Sequence, residues 1–128
     1  MFSIKEERIM KNYTDLDVWK IARKLVKTVY SLTSQFPNTE IYSLTNQINR
    51  SVISIPSNIA EGIGRQSDKE TIQFLYIAKG SLFELETQLY LAFDLEYISK
   101  DKLDNILEEI TSCKKLLNGF INYFKSKK

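Results

Sequence analysis

Residues 75–92 read LYIAKGSLFELETQLYLA, and their spacing decides the fold. Leu75, Ala78, Leu82, Leu85, Leu89 and Ala92 follow one another in steps of three and four without a miss. Such residues line one side of an α-helix and form the seam of a bundle whose helices cross at a shallow angle. Ser67 and Glu70 precede the stripe as a capping box. A helix is therefore predicted over about Asp68–Glu96, roughly 43 Å long.

Three further segments share this period. Leu103, Ile106, Ile110, Cys113, Leu117, Phe120 and Phe124 predict a helix over about Lys100–Lys125, capped by Ser99. Upstream, Leu44, Ile48, Val52, Ile55 and Ile59 mark one over about Glu40–Glu61. That segment is rich in Ser43, Asn46, Asn49, Ser51, Ser54, Ser57 and Asn58, which are weak helix formers, so tertiary packing must hold it. Pro56 is expected to kink it, and Gly62-Ile63-Gly64 to end it in a left-handed cap. The first helix is predicted over about Asp17–Ser34, with Asp15 or Asp17 as its cap. Val18, Ala22, Leu25, Val29, Leu32 and Phe36 form its stripe, flanked by Trp19, Val26 and Tyr30, and Phe36-Pro37-Asn38 breaks it. Short connections favour antiparallel neighbours. The expectation is an all-α, antiparallel up-down-up-down four-helix bundle over residues 15–128, preceded by an N-terminal arm over 1–14.

Composition narrows the chemistry. Histidine is absent, which removes Ser-His and Cys-His nucleophile pairs, the usual zinc sites and the Glu-x-x-His di-iron signature of helical bundles. The four glycines have no phosphate-loop spacing. No catalytic residue, metal site or cofactor is expected. Cys113, the single cysteine, falls on the core seam and reads as a buried hydrophobe in a chain suited to the reducing cytoplasm. No apolar run spans a bilayer, so no membrane association is expected, and the charged opening residues do not read as a secretory signal. Glu84, Glu86, Asp94 and Glu96 read as solvated surface.

The net charge of +2 is unevenly spread. Residues 1–34 hold seven basic and four acidic groups, residues 35–98 four and eight, and residues 99–128 seven and four. Lys20, Arg23, Lys24 and Lys27 share one side of the first helix with no carboxylate following them in it. They read either as a phosphate-tracking patch, joined by Lys125, Lys127 and Lys128 if the last helix ends near Lys20, or as a solvated basic face. Arg50, Glu61 and Arg65 read as an ion-pair network or as guanidinium groups for phosphate. Tyr76, Phe83 and Tyr90 recur every seven residues beside the core seam, with Ile77 and Leu91 on its other edge. This wide apolar arc is either an oligomer interface or a broad core face under neighbouring helices or the N-terminal arm. Gly80-Ser81, in mid-helix, suggests close approach of another backbone at the Ser51/Ser54/Pro56 stretch, or else a ligand pocket at this spot.

Several stretches resemble one bacterial family. They are Asp15-Leu16-Asp17-Val18-Trp19-Lys20; Phe36-Pro37 with Glu40-Ile41-Tyr42-Ser43-Leu44, Gln47 and Arg50; and Ser54-Ile55-Pro56-Ser57-Asn58-Ile59-Ala60-Glu61-Gly62 through Gly64-Arg65. Phe74-Leu75, Ala78-Lys79-Gly80-Ser81-Leu82 and Glu84-Leu85-Glu86 complete the set. Over about residues 15–98 the chain resembles the 23S rRNA intervening-sequence proteins, also described as ribosomal-protein-like. The resemblance implies an antiparallel four-helix bundle assembled as a homopentamer. Some family members are encoded inside insertions in 23S rRNA genes, and no settled activity comes with the family. The expected function is a non-enzymatic homo-oligomer acting as an adaptor for structured RNA, or DNA, with Lys20, Arg23, Lys24, Lys27, Arg50 and Arg65 as candidate phosphate contacts. The alternative is a scaffold for a protein partner with no nucleic-acid role.

Overall fold

A computed structural model describes residues 12–127. Among the described residues four helices form: α1 (Asp17–Thr33), α2 (Leu44–Ile63), α3 (Asp68–Asp94) and α4 (Lys100–Ser126). Short 3-10 helices at Tyr13–Asp15 and Asn38–Glu40 precede α1 and α2. Consecutive helices pack together, and α1 closes the bundle against α4. Cross-helix pairs run in opposite order along the two chains: Ser54 with Ser81 and Gly62 with Thr71 between α2 and α3, Glu86 with Lys114 and Asp68 with Lys127 between α3 and α4. Each of these pairs is thus antiparallel. The fold is the all-α four-helix bundle that the periodicity predicts.

The predicted stripes form the core, except that Leu32, Leu44 and Phe120 are only partly buried and Ile121, not Phe120, enters it from α4. Leu25, Ile48, Ile55, Leu75, Leu82, Leu85, Leu89, Ile110 and Leu117 are fully buried, each leucine contributing on the order of 2 kcal/mol by leaving water. Ser67 caps α3, its hydroxyl accepting the Glu70 amide and donating to the Glu70 carboxylate, and the Ser99 hydroxyl caps α4. At the far end of α3, the Tyr97 amide donates to the Ala92 carbonyl and the Glu96 amide to the Phe93 carbonyl. This paired closure places Glu96 at φ 65°, the one left-handed non-glycine among the described residues.

Polar contacts within the serine- and asparagine-rich α2, and one from it to α3, join its side chains. Ser54 Oγ and Ser81 Oγ share a 2.8 Å hydrogen bond, and Asn58 Nδ2 donates to both Ser54 Oγ and the Ser54 carbonyl at 2.8 Å. These short side chains satisfy one another where larger ones would hold the helices apart. α2 continues through Pro56.

Several local expectations need correction. α2 begins at Leu44, not Glu40, because Glu40 lies in the 3-10 turn after Pro37. Its carboxylate serves as an acceptor at the head of α2, taking the Ser43 hydroxyl at 2.5 Å and the Leu44 amide at 3.3 Å. α1 is capped by neither Asp15 nor Asp17: Leu16 holds the cap position without a side-chain bond, and Asp17 is in the first turn. Gly64 is right-handed, at φ −76°, so the left-handed cap is absent. Of Gly80-Ser81, Ser81 meets Ser54 of the expected stretch, but Gly80 itself meets nothing; the glycine at a close backbone approach is Gly62. A Cβ on Gly62 would sit 3.0 Å from Phe74 Cβ and 3.1 Å from the Thr71 carbonyl, whereas nothing lies within 4 Å of one on Gly80. Asn12–Thr14, the end of the expected N-terminal arm, lie in a capped turn ahead of α1; residues 1–11 of that arm lie outside the described residues.

Candidate nucleic-acid interface

The outer side of α1 follows from its amphipathic period. With Val18, Ala22, Leu25 and Val29 turned to the core, Lys20, Arg23, Lys24 and Lys27 project on the opposite, exposed side. None of the four pairs with a carboxylate among the described residues. The row spans about two turns, with Lys20 and Lys24, and likewise Arg23 and Lys27, about a turn, or about 5.4 Å, apart along the helix.

Arg23 stands at the edge of this row. Its guanidinium carbon lies 5.5 Å from the centroid of the Trp19 ring, and Tyr13 meets Trp19 edge-on, with centroids 5.3 Å apart at 78°. The 3-10 turn at Tyr13–Asp15 sets this arrangement: the Asn12 carboxamide accepts the Thr14 amide and hydroxyl, which fixes the chain just ahead of α1. Tyr13, Trp19, Arg23 and Val26 form one wall of a groove of about 420 Å³, and Ile53, Pro56, Ser57 and Ala60 of α2 form the other. The sequence shows Trp19 only as a flank of the core stripe. Nothing in its spacing places Tyr13 against it.

The other candidate cations lie elsewhere. Arg50 lines a separate polar groove of about 400 Å³ between α2 and α3, with Asn46, Gln47, Ser54, Ser81, Glu84 and Gln88. Arg65 is engaged by Glu61 at 2.9 Å and lies 4.5 Å from the centroid of the Phe74 ring. The Glu61–Arg65 pair expected from the sequence thus forms, between the last turn of α2 and the connection that follows it, without Arg50. Lys125 donates to the Tyr76 hydroxyl at 3.1 Å and Lys127 pairs with Asp68 at 3.2 Å. Both turn toward α3, so they do not extend the α1 row as expected; Lys128 lies outside the described residues.

Tyr76, Phe83 and Tyr90 stay 43%, 48% and 47% exposed on the outside of α3. The alternative of a core face covered by neighbouring helices does not hold among the described residues. Lysines dress the row: Lys79 and Lys125 lie 5.9 and 5.7 Å from the Tyr76 centroid, and Lys114 lies 4.7 Å from that of Phe83. Lys114 also pairs with Glu86 at 2.7 Å, with both side chains about a quarter exposed, so Glu86 is not simply solvated. Cys113 is buried on the seam, and loss of water there pushes its thiol up to about 12. Among the described residues, no three His, Cys, Asp or Glu side chains converge to hold a metal, and no helix is long and apolar enough to cross a membrane.

These features define an antiparallel four-helix bundle with a basic outer helix and an exposed aromatic face. The family model for "23S rRNA-intervening sequence protein" matches residues 14–119, and the chain belongs to that family. It is also similar to a Bacteroides thetaiotaomicron VPI-5482 protein described as of unknown function, from the S23 ribosomal protein family. The two share 30% identity at a TM-score of 0.75, over 81% of this chain and 97% of the other. No functionally curated protein matches the chain.

Proposed function

We propose that this protein is a non-enzymatic, cytoplasmic homo-oligomer that associates with structured RNA through the outer side of α1. The observation that carries this reading is the row Lys20, Arg23, Lys24 and Lys27: four cations on one exposed helix side, with no carboxylate partner among the described residues. Unpaired charge of this kind is available to release counterions from a phosphate backbone. The family's description in terms of 23S rRNA is in keeping with an RNA partner. Self-association uses Tyr76, Phe83 and Tyr90, and an assembly, a pentamer on the family resemblance, multiplies weak contacts by avidity. The exposed aromatic face also favours a second reading, a scaffold that docks a protein partner there.

Fluorescence anisotropy of a structured RNA titrated with the protein across a salt series tests the proposal. Affinity is expected to fall steeply with salt and to be lost when Lys20, Arg23, Lys24 and Lys27 are all changed to Glu. Absence of binding at low salt would overturn the RNA reading and leave the scaffold.

A further inference from the structure

We infer that the groove between α1 and α2 receives an unpaired RNA base, so that the protein selects folded RNAs carrying a bulged or looped-out nucleotide over continuous duplex. The inference rests on the RNA reading of α1 and specifies which RNA that surface takes.

Three observations carry it. First, the groove lies against the cation row: Arg23 belongs to both, lining the groove while Lys20, Lys24 and Lys27 continue along the outer side of α1. A strand whose phosphates follow the row has its bases within reach of the groove mouth. Second, the walls offer flat, apolar surfaces. Trp19 is backed by the Tyr13 edge, Arg23 lies over its ring, and Ile53 and Pro56 face them from α2. Unpaired bases stack on aromatic rings and on guanidinium planes. Third, the groove is open and apolar at a place where burial would be favourable: Tyr13 and Ile53 remain 39% and 43% exposed. Its volume of about 420 Å³ is within the range of sites that hold small planar ligands.

Duplex RNA gives such a groove nothing to hold. A paired helix presents phosphates and 2′-hydroxyls and keeps its bases stacked inside. A cation row suffices for it, while an aromatic groove beside the row adds affinity only for a base that has left the stack.

Trp19 is the single tryptophan of the chain, so its emission reports on the groove directly. The test uses two RNA hairpins that differ only in one bulged nucleotide, titrated with the protein and read by RNA anisotropy and by Trp19 emission. The bulged hairpin is expected to bind about tenfold tighter, the scale of one base–aromatic stack, and to quench Trp19. Ser57→Leu, which fills the groove from an exposed position, and Trp19→Leu are each expected to reduce the affinity for the bulged hairpin to that for the paired one. Equal affinities, or an emission that does not change on binding the bulged hairpin, would overturn the groove inference while salt-dependent binding kept the α1 row. Failure to bind either hairpin at low salt would instead remove the RNA reading itself, and the inference with it.

Discussion

The Tyr97 hydroxyl donates a 2.8 Å hydrogen bond to Glu40 Oε2, joining the α3–α4 turn to the head of α2. Phe36 packs on the same tyrosine ring at 5.4 Å between centroids, so three separate stretches of chain meet at this end of the bundle. Hydrogen bonds from Ser43, Tyr97 and the Leu44 amide hold the Glu40 carboxyl below its ordinary value of 4.5. A carboxylate whose folded value is depressed stabilises the fold above its unfolded value, and that contribution is lost as pH falls through the folded value. Tyr97→Phe should therefore lower the melting midpoint by a few degrees at pH 7. The gap to the parent protein should narrow below pH 4.5 as Glu40 takes up a proton. Thermal melts of both proteins from pH 7 to pH 3 check this, and a gap that does not change with pH would contradict it.

Gly62 and Gly80 should respond oppositely to alanine. At Gly62 the added methyl meets the backbone of α3, so Gly62→Ala should destabilise by about 1–3 kcal/mol. Gly80 lies in an exposed helix interior with open space around it, and Gly80→Ala should stabilise by about 1 kcal/mol. Urea unfolding midpoints of the two variants give the comparison.

Glu96 holds a left-handed conformation that suits glycine. Glu96→Gly should remove about 1 kcal/mol of backbone strain and raise stability, provided the α3 end closure keeps its geometry. Calorimetric melting of the variant measures it, and a lower midpoint would mean that the glutamate side chain contributes more than its backbone costs.

Cys113 should resist alkylation in the native protein. Its thiol is buried and is pushed up to about 12, so thiolate is scarce and access is closed at pH 8. Labelling by iodoacetamide should track global unfolding across a urea series. Fast labelling of the folded protein would show that α4 opens locally.

Replacing Tyr76, Phe83 and Tyr90 together by Ser should convert the proposed assembly to single chains in sedimentation velocity. The side chains lie outside the core, so helix content by circular dichroism should stay at the parent level. An intact assembly would place the self-association surface elsewhere.

The four helices were legible because their signal is local: Leu75 through Ala92 repeats a helical period that needs no knowledge of the partner. What the period could not carry is distance between helices. Gly62 and Gly80 look alike in a sequence, and only the packing of α2 on α3 shows that the first touches a backbone and the second touches nothing. The start of α2 is hidden for a similar reason, since Glu40 acts through its side chain at a helix head that begins four residues later. Of the candidate site, the α1 row was legible from spacing alone. The groove beside it was not, because its second wall comes from α2, and because Tyr13 reaches Trp19 only through a 3-10 turn that no hydrophobic period announces.

The α2–α3 pair also has a kinetic consequence. Only residues 64–67 separate these two helices, and their interface is the most extensive in the bundle. Closing so short a loop costs little chain entropy, whereas joining α1 to α4 requires most of the chain to be in place. The α2–α3 hairpin is then the natural nucleus of the folding transition state. Contacts around Gly62 then belong to the early steps of folding, and the α1–α4 seam closes late.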